Sequence, residues 1–286
     1  MRIAVTGGSG KLGRGVIAVL REAGHVVFNL DCAPAPGGPA RGPGFVEVDL
    51  TDYGQVADAL SGVDDAYDRL DAVVHLAAIP APGLLSNVAT FHNNMLSSYN
   101  VFEACRKAGI RRIIHASSET VLGLPFDVPP PYIPVDEEYP AVPNSTYSLV
   151  KHLEETMAIQ LCRWDPELSV TGLRFSNVMD GSEYSGFPAF DADPLLRKWN
   201  LWSYIDVRDA GQAVQKALET RSAGYETFII ANADTVMSRS SASLAAEVYP
   251  GVPVTKELGE HETMLSIDKA RRLLGYEPQH SWRDRV

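Results

Sequence analysis

The stretch Arg2 to Gly15 reads Arg-Ile-Ala-Val-Thr-Gly-Gly-Ser-Gly-Lys-Leu-Gly-Arg-Gly. Ile3, Ala4 and Val5 form a short apolar run of the kind that becomes a buried strand. Gly7, Gly10 and Gly13 follow at G-x-x-G-x-x-G spacing. Beyond them Leu12, Val16, Val19 and Leu20 fall on one helical face. A strand, a tight glycine turn and a helix start form a site for a dinucleotide: glycines let the backbone approach the pyrophosphate, and the helix start presents free N–H groups. Gly7, Ser9, Gly10, Lys11, Leu12 and Gly13 are therefore the first candidate cofactor contacts.

Working outward, His25 to Leu30 reads as a second strand that ends at Asp31, 18 residues beyond Gly13. An acidic residue at this distance accepts hydrogen bonds from the adenosine ribose of NAD and repels the 2′-phosphate of NADP. A Pro- and Gly-rich loop is expected over Cys32–Gly44. Phe45 to Val48 is a third strand, closed by Asp49-Leu50-Thr51-Asp52. Asp49 is placed to meet the adenine amino group, and Thr51 or Asp52 to cap the next helix. Asp71 to Leu76 is a fourth strand, and the small residues Ala77 and Ala78 after it let a ligand lie against the backbone. A long helix is expected over 87–107 and a fifth strand over 111–115. This alternation predicts an α/β fold with a doubly wound parallel sheet, whose ligands bind at the carboxyl ends of the strands.

The chain has 286 residues, 45% hydrophobic and 21% charged, enough for a sizeable core. A formal charge of −11 disfavours nucleic acid and anionic membrane surfaces as partners. Cys32, Cys105 and Cys162 are far apart and form no C-x-x-C spacing, which suggests neither zinc nor a disulfide framework. No His, Cys or carboxylate cluster has metal-ligand spacing, so no metal is expected. The folded-looking N-terminus leads to the expectation of a cytoplasmic protein without a signal peptide.

The fifth strand runs into Ala116-Ser117-Ser118-Glu119-Thr120. Gly123 to Pro143 carries seven prolines, cannot be regular structure, and is expected to wrap the surface near that strand end. Asn144 to Lys151 then opens a helix in which Tyr147 and Lys151 stand at i, i+4 on one face. A free tyrosine titrates at ~10, and a lysine one turn away favours its phenolate.

With these pieces in this order the chain resembles the extended short-chain dehydrogenases/reductases, the family that includes NAD-dependent epimerases and dehydratases. The likeness is carried by Thr6 to Gly13, Asp49-Leu50, His75 to Ala78, Asn93-Asn94, Ser117-Ser118, Tyr147 to Lys151, Leu173 to Val178, Tyr204 to Asp209 and Leu274 to Pro278. It implies NAD as cofactor, a Rossmann sheet, and Ser118, Tyr147 and Lys151 as the catalytic set. Tyr147 would be the acid/base, Lys151 would stabilise its phenolate and hold the nicotinamide ribose, and Ser118 would hold the reacting oxygen. Leu76, Ala77, Ala78, Asn94, Ser117 and Phe175 would line the cofactor, with Asn94 near the nicotinamide. Ser118, Thr120, Tyr147, Asn177 and Trp202 are the candidate substrate contacts. The resemblance also implies a homodimer through the helices at 87–107 and 145–163.

The expected organisation is a cofactor domain of 1–175 with 204–232, and a small C-terminal substrate lobe of 176–203 with 233–286. Residues 176–202 break the strand–helix rhythm and carry Tyr184, Phe187, Phe190, Trp199 and Trp202, a lining that suits a sugar and equally a small core. Leu201-Trp202-Ser203-Tyr204 lacks the arginine that nucleotide-sugar-binding relatives often place there. That departure favours a smaller carbohydrate, such as a free sugar, a uronate or a polyol, and an NAD-dependent dehydrogenase. The alternative is an epimerase that keeps its NAD; a non-catalytic dinucleotide sensor is the third reading. Asp31→Gly is expected to narrow the preference for NAD over NADP when the two dissociation constants are compared; an unchanged ratio would remove Asp31 from the ribose site.

Overall fold

A computed structural model describes residues 1–37, 44–64, 66–220 and 222–285. The middle of the expected Cys32–Gly44 loop lies outside the described residues. The first half of the chain runs β1 (Arg2–Thr6), α1 (Lys11–Glu22), β2 (Val26–Asp31), β3 (Phe45–Glu47), α2 (Tyr53–Ser61), β4 (Ala72–His75), α3 (Asn87–Ala108) and β5 (Arg112–Ser118). The second half runs α4 (Thr146–Trp164), β6 (Ser169–Phe175), β7 (Val178–Met179), β8 (Ile205–Asp206), α5 (Val207–Glu219), β9 (Gly224–Ile230), α6 (Ser241–Val248) and α7 (Asp268–Leu274).

Seven strands form one parallel sheet in the order β3-β2-β1-β4-β5-β6-β9. The order reverses between β1 and β4, and ligands of open parallel sheets bind where it does. The glycine turn sits at that point. Gly7 has φ +70°, and a Cβ there would lie 2.6 Å from the Ala77 nitrogen, so the turn packs directly on the end of β4. A Cβ on Gly13 would lie 2.2 Å from the Gly7 carbonyl oxygen. Only glycine lets α1 start this close to the turn. Asp52, not Thr51, caps α2, accepting from the backbone N–H groups of Gly54 and Gln55.

The helices α3 and α4 pack against the sheet with polar faces. The buried side of α4 carries Tyr147, Ser148, Lys151, Glu154 and Glu155 beside Val150, Ala158 and Leu161. Its outer side leaves Leu149 and Ile159 exposed. α3 likewise buries Thr90, Asn94, Ser97, Ser98 and Asn100 and exposes Val88, Phe91 and Tyr99. Buried polar groups are tolerated only when paired, and several pair here: Ser98 with Glu154, Asn94 with the Ile79 backbone and Asn100 with the Leu50 carbonyl. Arg174 on β6 donates to Glu155 twice, at 2.9 and 2.8 Å, and Ser117 donates to the same carboxylate at 2.5 Å.

The proline-rich segment departs from the surface loop expected of it. Phe126, Ile133 and Val135 are almost wholly buried. Ile133 bridges to Val254 and Val135 to Leu265, with backbone bonds of 2.8 to 2.9 Å on either side. Prolines remove donors but leave Ile133 and Val135 free to pair, and their side chains join the large hydrophobic cluster. This cluster runs from Ile3 and Val16 through these residues to Tyr276 and Trp282.

Glu155→Ala leaves the Arg174 guanidinium buried without its partner. It is expected to cost about 3–5 kcal/mol in urea unfolding. A loss under about 1 kcal/mol would show that the pair does not hold α4 to the sheet.

Candidate active site

The carboxyl ends of the strands open on a crevice of about 850 Å3, within the usual range for ligand sites. One end is built by Gly7, Ser9 to Gly13, Asp31, Asp49 and Leu50, the middle by Leu76, Ala77 and Ala78. The other end carries Ser117, Ser118, Thr120, Tyr147, Lys151, Phe175 and Asn177. Residues from seven parts of the sequence are thus brought together in one trough.

The glycine-turn end suits a pyrophosphate. α1 begins at Gly10 with no side-chain cap, so its first backbone N–H groups face the crevice without a protein acceptor. Asp31 ends β2 and accepts from the Ser9 backbone N–H at 3.0 Å, which fixes one carboxylate oxygen against the turn. Asp49 is exposed at the rim and accepts from the Thr51 N–H and hydroxyl, at 2.9 and 2.7 Å. A dinucleotide with its adenosine at Asp31 and Asp49 and its phosphates on α1 fits these donors and acceptors.

At the other end, α4 starts on a capping box in which Ser145 and Ser148 bond reciprocally. That cap sets the helix phase and turns Tyr147 and Lys151 inward together. The Lys151 ammonium lies 5.9 Å from the Tyr147 ring centroid. It donates to the Ala116 carbonyl at 2.9 Å and to Glu154 at 2.8 Å. Lys151 is 2% exposed and Glu154 0%.

Glu154 ends a chain of buried hydrogen bonds that reaches back to the glycine turn. Ser98 donates to Glu154 at 2.8 Å, and Ser98 lies 3.0 Å from His75 Nε2. Since the single Ser98 proton goes to Glu154, Nε2 is the donor to Ser98. His75 Nδ1 then accepts from the Thr6 hydroxyl, 2.7 Å away. Burial, reinforced by the Lys151 charge, pushes the His75 imidazole down to about 3, so the ring is neutral. His115 is held neutral by the same causes and packs edge-on to Phe102.

The phenol departs from the sequence expectation. Burial raises the Tyr147 pKa above its ordinary value, although Lys151 and the neighbouring Ser118 hydroxyl both act to lower it. For Lys151 itself, burial opposes the charge, but Glu154 and Tyr147 outweigh it and the pKa is raised. Lys151 is therefore a fixed cation, and the phenol stays protonated until a further positive charge or a proton acceptor arrives. Ser118 accepts from the Thr120 N–H at 3.2 Å and the Thr120 hydroxyl at 3.0 Å. Its own proton is left to the Tyr147 oxygen or to a bound oxygen.

Ser117 lines the crevice as expected, with its hydroxyl committed to Glu155. Two expected contacts are corrected. Asn94 is 0% exposed and does not reach the crevice; it accepts from the Ile79 N–H at 2.8 Å and donates to the Ile79 carbonyl at 3.1 Å. It braces the segment after β4, while Asn93 and Ser97 line the trough. Trp202 is 0% exposed and donates its indole N–H to the Pro194 carbonyl. Leu201 and Trp202 both have positive φ, 54° and 57°, and this left-handed turn sends Trp202 into the core. Trp199 lines the crevice instead. Tyr184 and Phe187 are core. The sequence reading also gave no role to Glu119, which lines the wall beside Ser118; its place in the Ser117-Ser118 run was the one signal for it.

Among the described residues no group of three His, Cys, Asp or Glu could hold a metal ion. No helix is long and apolar enough to cross a membrane. Comparison with known proteins agrees with this geometry. A model of the NAD dependent epimerase/dehydratase family matches residues 3–231. UDP-glucose 4-epimerase of Corynebacterium glutamicum is 26% identical, over 98% of this chain and 92% of that protein. UDP-glucose 4-epimerase 2 of Oryza sativa subsp. japonica is 30% identical, over 71% of this chain and 50% of that protein. The chain spans about half to three fifths of the length of this and two further curated relatives. A solved UDP-galactose 4-epimerase is 28% identical and superposes with a TM-score of 0.69, covering 98% of this chain and 94% of that one. With its parallel sheet, its glycine turn and this match over most of its length, the chain belongs to the NAD dependent epimerase/dehydratase family.

Proposed function

We propose that this protein is an NAD-dependent sugar epimerase, which oxidises a hydroxyl carbon of a nucleotide-linked sugar and reduces it again from the other face. The observation that carries the reading is the convergence of Ser118, Tyr147 and Lys151 on one end of the crevice whose other end is the glycine turn. The names of the relatives support an epimerase over the dehydrogenase that the sequence alone favoured. In this reading residues 1–175 with 204–232 hold the cofactor, and 176–203 with 233–286 face the sugar.

Bound NAD supplies the hydride acceptor and, in its oxidised form, a positive charge near the phenol. Tyr147 takes the hydroxyl proton as the substrate is oxidised and returns it on reduction. Lys151, fixed by Glu154 and the Ala116 carbonyl, stabilises the phenolate and orients the ribose end of the cofactor. Ser118 donates its free proton to the reacting oxygen. Lys11 closes the trough at its far side: its ammonium donates to Glu183 at 2.7 Å and to the Val178 carbonyl at 3.3 Å, tying α1 to the segment after β7.

A free-sugar or uronate dehydrogenase is the second reading. It is favoured by the stretch 201–204, where no arginine stands and Leu201, Trp202, Ser203 and Tyr204 are all 0% exposed. We also propose pairing of two copies through α3 and α4, supported by the exposed Val88, Phe91, Tyr99, Leu149 and Ile159 on helices whose polar faces are turned inward.

NAD-loaded enzyme given UDP-galactose or UDP-glucose is expected to interconvert the two with no net NADH absorbance; steady accumulation of NADH on a sugar or uronate would select the dehydrogenase. Tyr147→Phe should lower kcat by at least ~100-fold, on the scale of general acid–base catalysis, with NAD affinity nearly unchanged. Retained turnover would remove Tyr147 from the chemistry. A solution mass of one chain at micromolar concentration would exclude the pairing; the mass of two is expected.

A further inference from the structure

Glu119 is the first residue of the 3-10 turn Glu119–Leu122 that follows β5, directly after Ser118. It is 3% exposed, yet it forms part of the crevice wall. One carboxyl oxygen, Oε1, accepts from the Asn200 amide at 3.2 Å. The other, Oε2, is buried near the Ser176 hydroxyl and the Asn177 backbone, with neither at full hydrogen-bond geometry. Three neighbouring atoms are also buried without a hydrogen bond of full geometry: the Ser176 hydroxyl, the Asn200 amide oxygen and Arg197 Nε. Ser176 belongs to the crevice lining at the end of β6, and Asn200 and Arg197 come from the turn that ends in the left-handed pair Leu201 and Trp202. Unpaired polar atoms are rare in a protein interior, because each loses its water without a replacement. Backbone held in a left-handed conformation at two non-glycine residues is costly as well, and gathers at ligand clamps. Both features meet on one wall, next to the serine that holds the reacting oxygen.

We propose that Glu119 is a specificity residue that reads a hydroxyl of the sugar substrate close to the reacting carbon, taking that hydroxyl on Oε2. The inference rests on the epimerase reading and adds to it the group that recognises the sugar ring. A hydroxyl is the chemistry that fits: it can donate to Oε2 and accept from a protonated carboxyl. Burial pushes the Glu119 carboxyl up to about 7, with hydrogen bonds from Ser176 and Asn200, the Arg197 charge and the Asn177 backbone restraining the shift. Its negative form in turn helps to raise the Tyr147 pKa, which places the two side chains within electrostatic reach. Arg197, stacked 4.9 Å from the Trp199 ring and 5.1 Å from the Phe190 ring, backs the wall and donates to the Ser203 carbonyl at 3.0 Å. Trp199 itself lines the crevice.

The test uses NAD-loaded wild type, Glu119→Ala and Glu119→Gln, with UDP-galactose and its 2-deoxy, 3-deoxy and 6-deoxy analogues as probes. Glu119→Ala is expected to lower kcat/KM for UDP-galactose by ~10–100-fold, the loss of one hydrogen bond to a charged or strongly polar group. NAD affinity should stay within about twofold. One deoxy analogue should be as poor for wild type as UDP-galactose is for Glu119→Ala, and that analogue should be handled alike by both proteins. Glu119→Gln, which keeps an oxygen at the same place, should fall between. Equal kcat/KM for Glu119→Ala and wild type, or a uniform loss on every analogue together with weaker NAD binding, overturns the proposal and leaves the epimerase reading standing. A wild type that processes none of the probes overturns both, since Glu119 then faces no sugar of this class.

Discussion

The ammonium of Lys151 is buried, and everything at the reactive end of the crevice is arranged around keeping it there. A cation 2% exposed to solvent persists only with an anion and further hydrogen bonds to replace water. Glu154 and the Ala116 carbonyl supply them. Glu154 is itself fully buried and is satisfied by Ser98, which is oriented by a neutral His75, which is anchored by Thr6 at the end of β1. A line of directional bonds therefore runs from the glycine turn to α4. It ties the end of the crevice where a pyrophosphate fits to the end that holds Tyr147 and Lys151, through side chains with one tautomer and one set of partners.

The same constraint explains why α3 and α4 are built as they are. A second ion pair, Arg174 with Glu155, lies on the next face of α4 and takes the Ser117 hydroxyl with it. Two buried acids side by side, each matched to a different cation, fix both the rotation and the height of α4 against β5 and β6. Tyr147, one turn before Lys151, is positioned as a consequence. Its raised pKa shows that position and pKa are separate matters: Lys151 pulls the phenol down, but burial outweighs it until another positive charge is near.

Much of this was legible in the chain. The strand–glycine–helix opening, the acid at the end of β2, the order of strands and the i, i+4 tyrosine and lysine follow from period and spacing, because they depend on neighbours within a few residues. Ser118, Thr120, Phe175 and Asn177 were found through their place in the family pattern. What was missed depends on contacts across the fold. Asn94 and Asn93 differ by 100° of helix rotation, and only the packing of α3 on the segment after β4 says which faces the trough. Trp202 and Trp199 were interchangeable in a polar-aromatic stretch until the left-handed turn at Leu201 and Trp202 separated them. Ile133 and Val135 lay hidden among prolines because their pairing partners are about 120 residues further on. Glu119 had no role in the sequence reading, because its surroundings, Asn200 and Arg197, come from about 80 residues further along the chain.

If the glycine turn and the Tyr147–Lys151 pair are two ends of one dinucleotide site, a single bound NAD must reach both. The most direct test is a crystal structure of the protein soaked with NAD, read for where each end of the dinucleotide lies. The expected result has the adenosine ribose on Asp31, the pyrophosphate on the start of α1, and the nicotinamide ribose within hydrogen-bond distance of Lys151 and Tyr147. A dinucleotide lying in the reverse direction, or one whose nicotinamide end leaves the trough before reaching Tyr147, would contradict it.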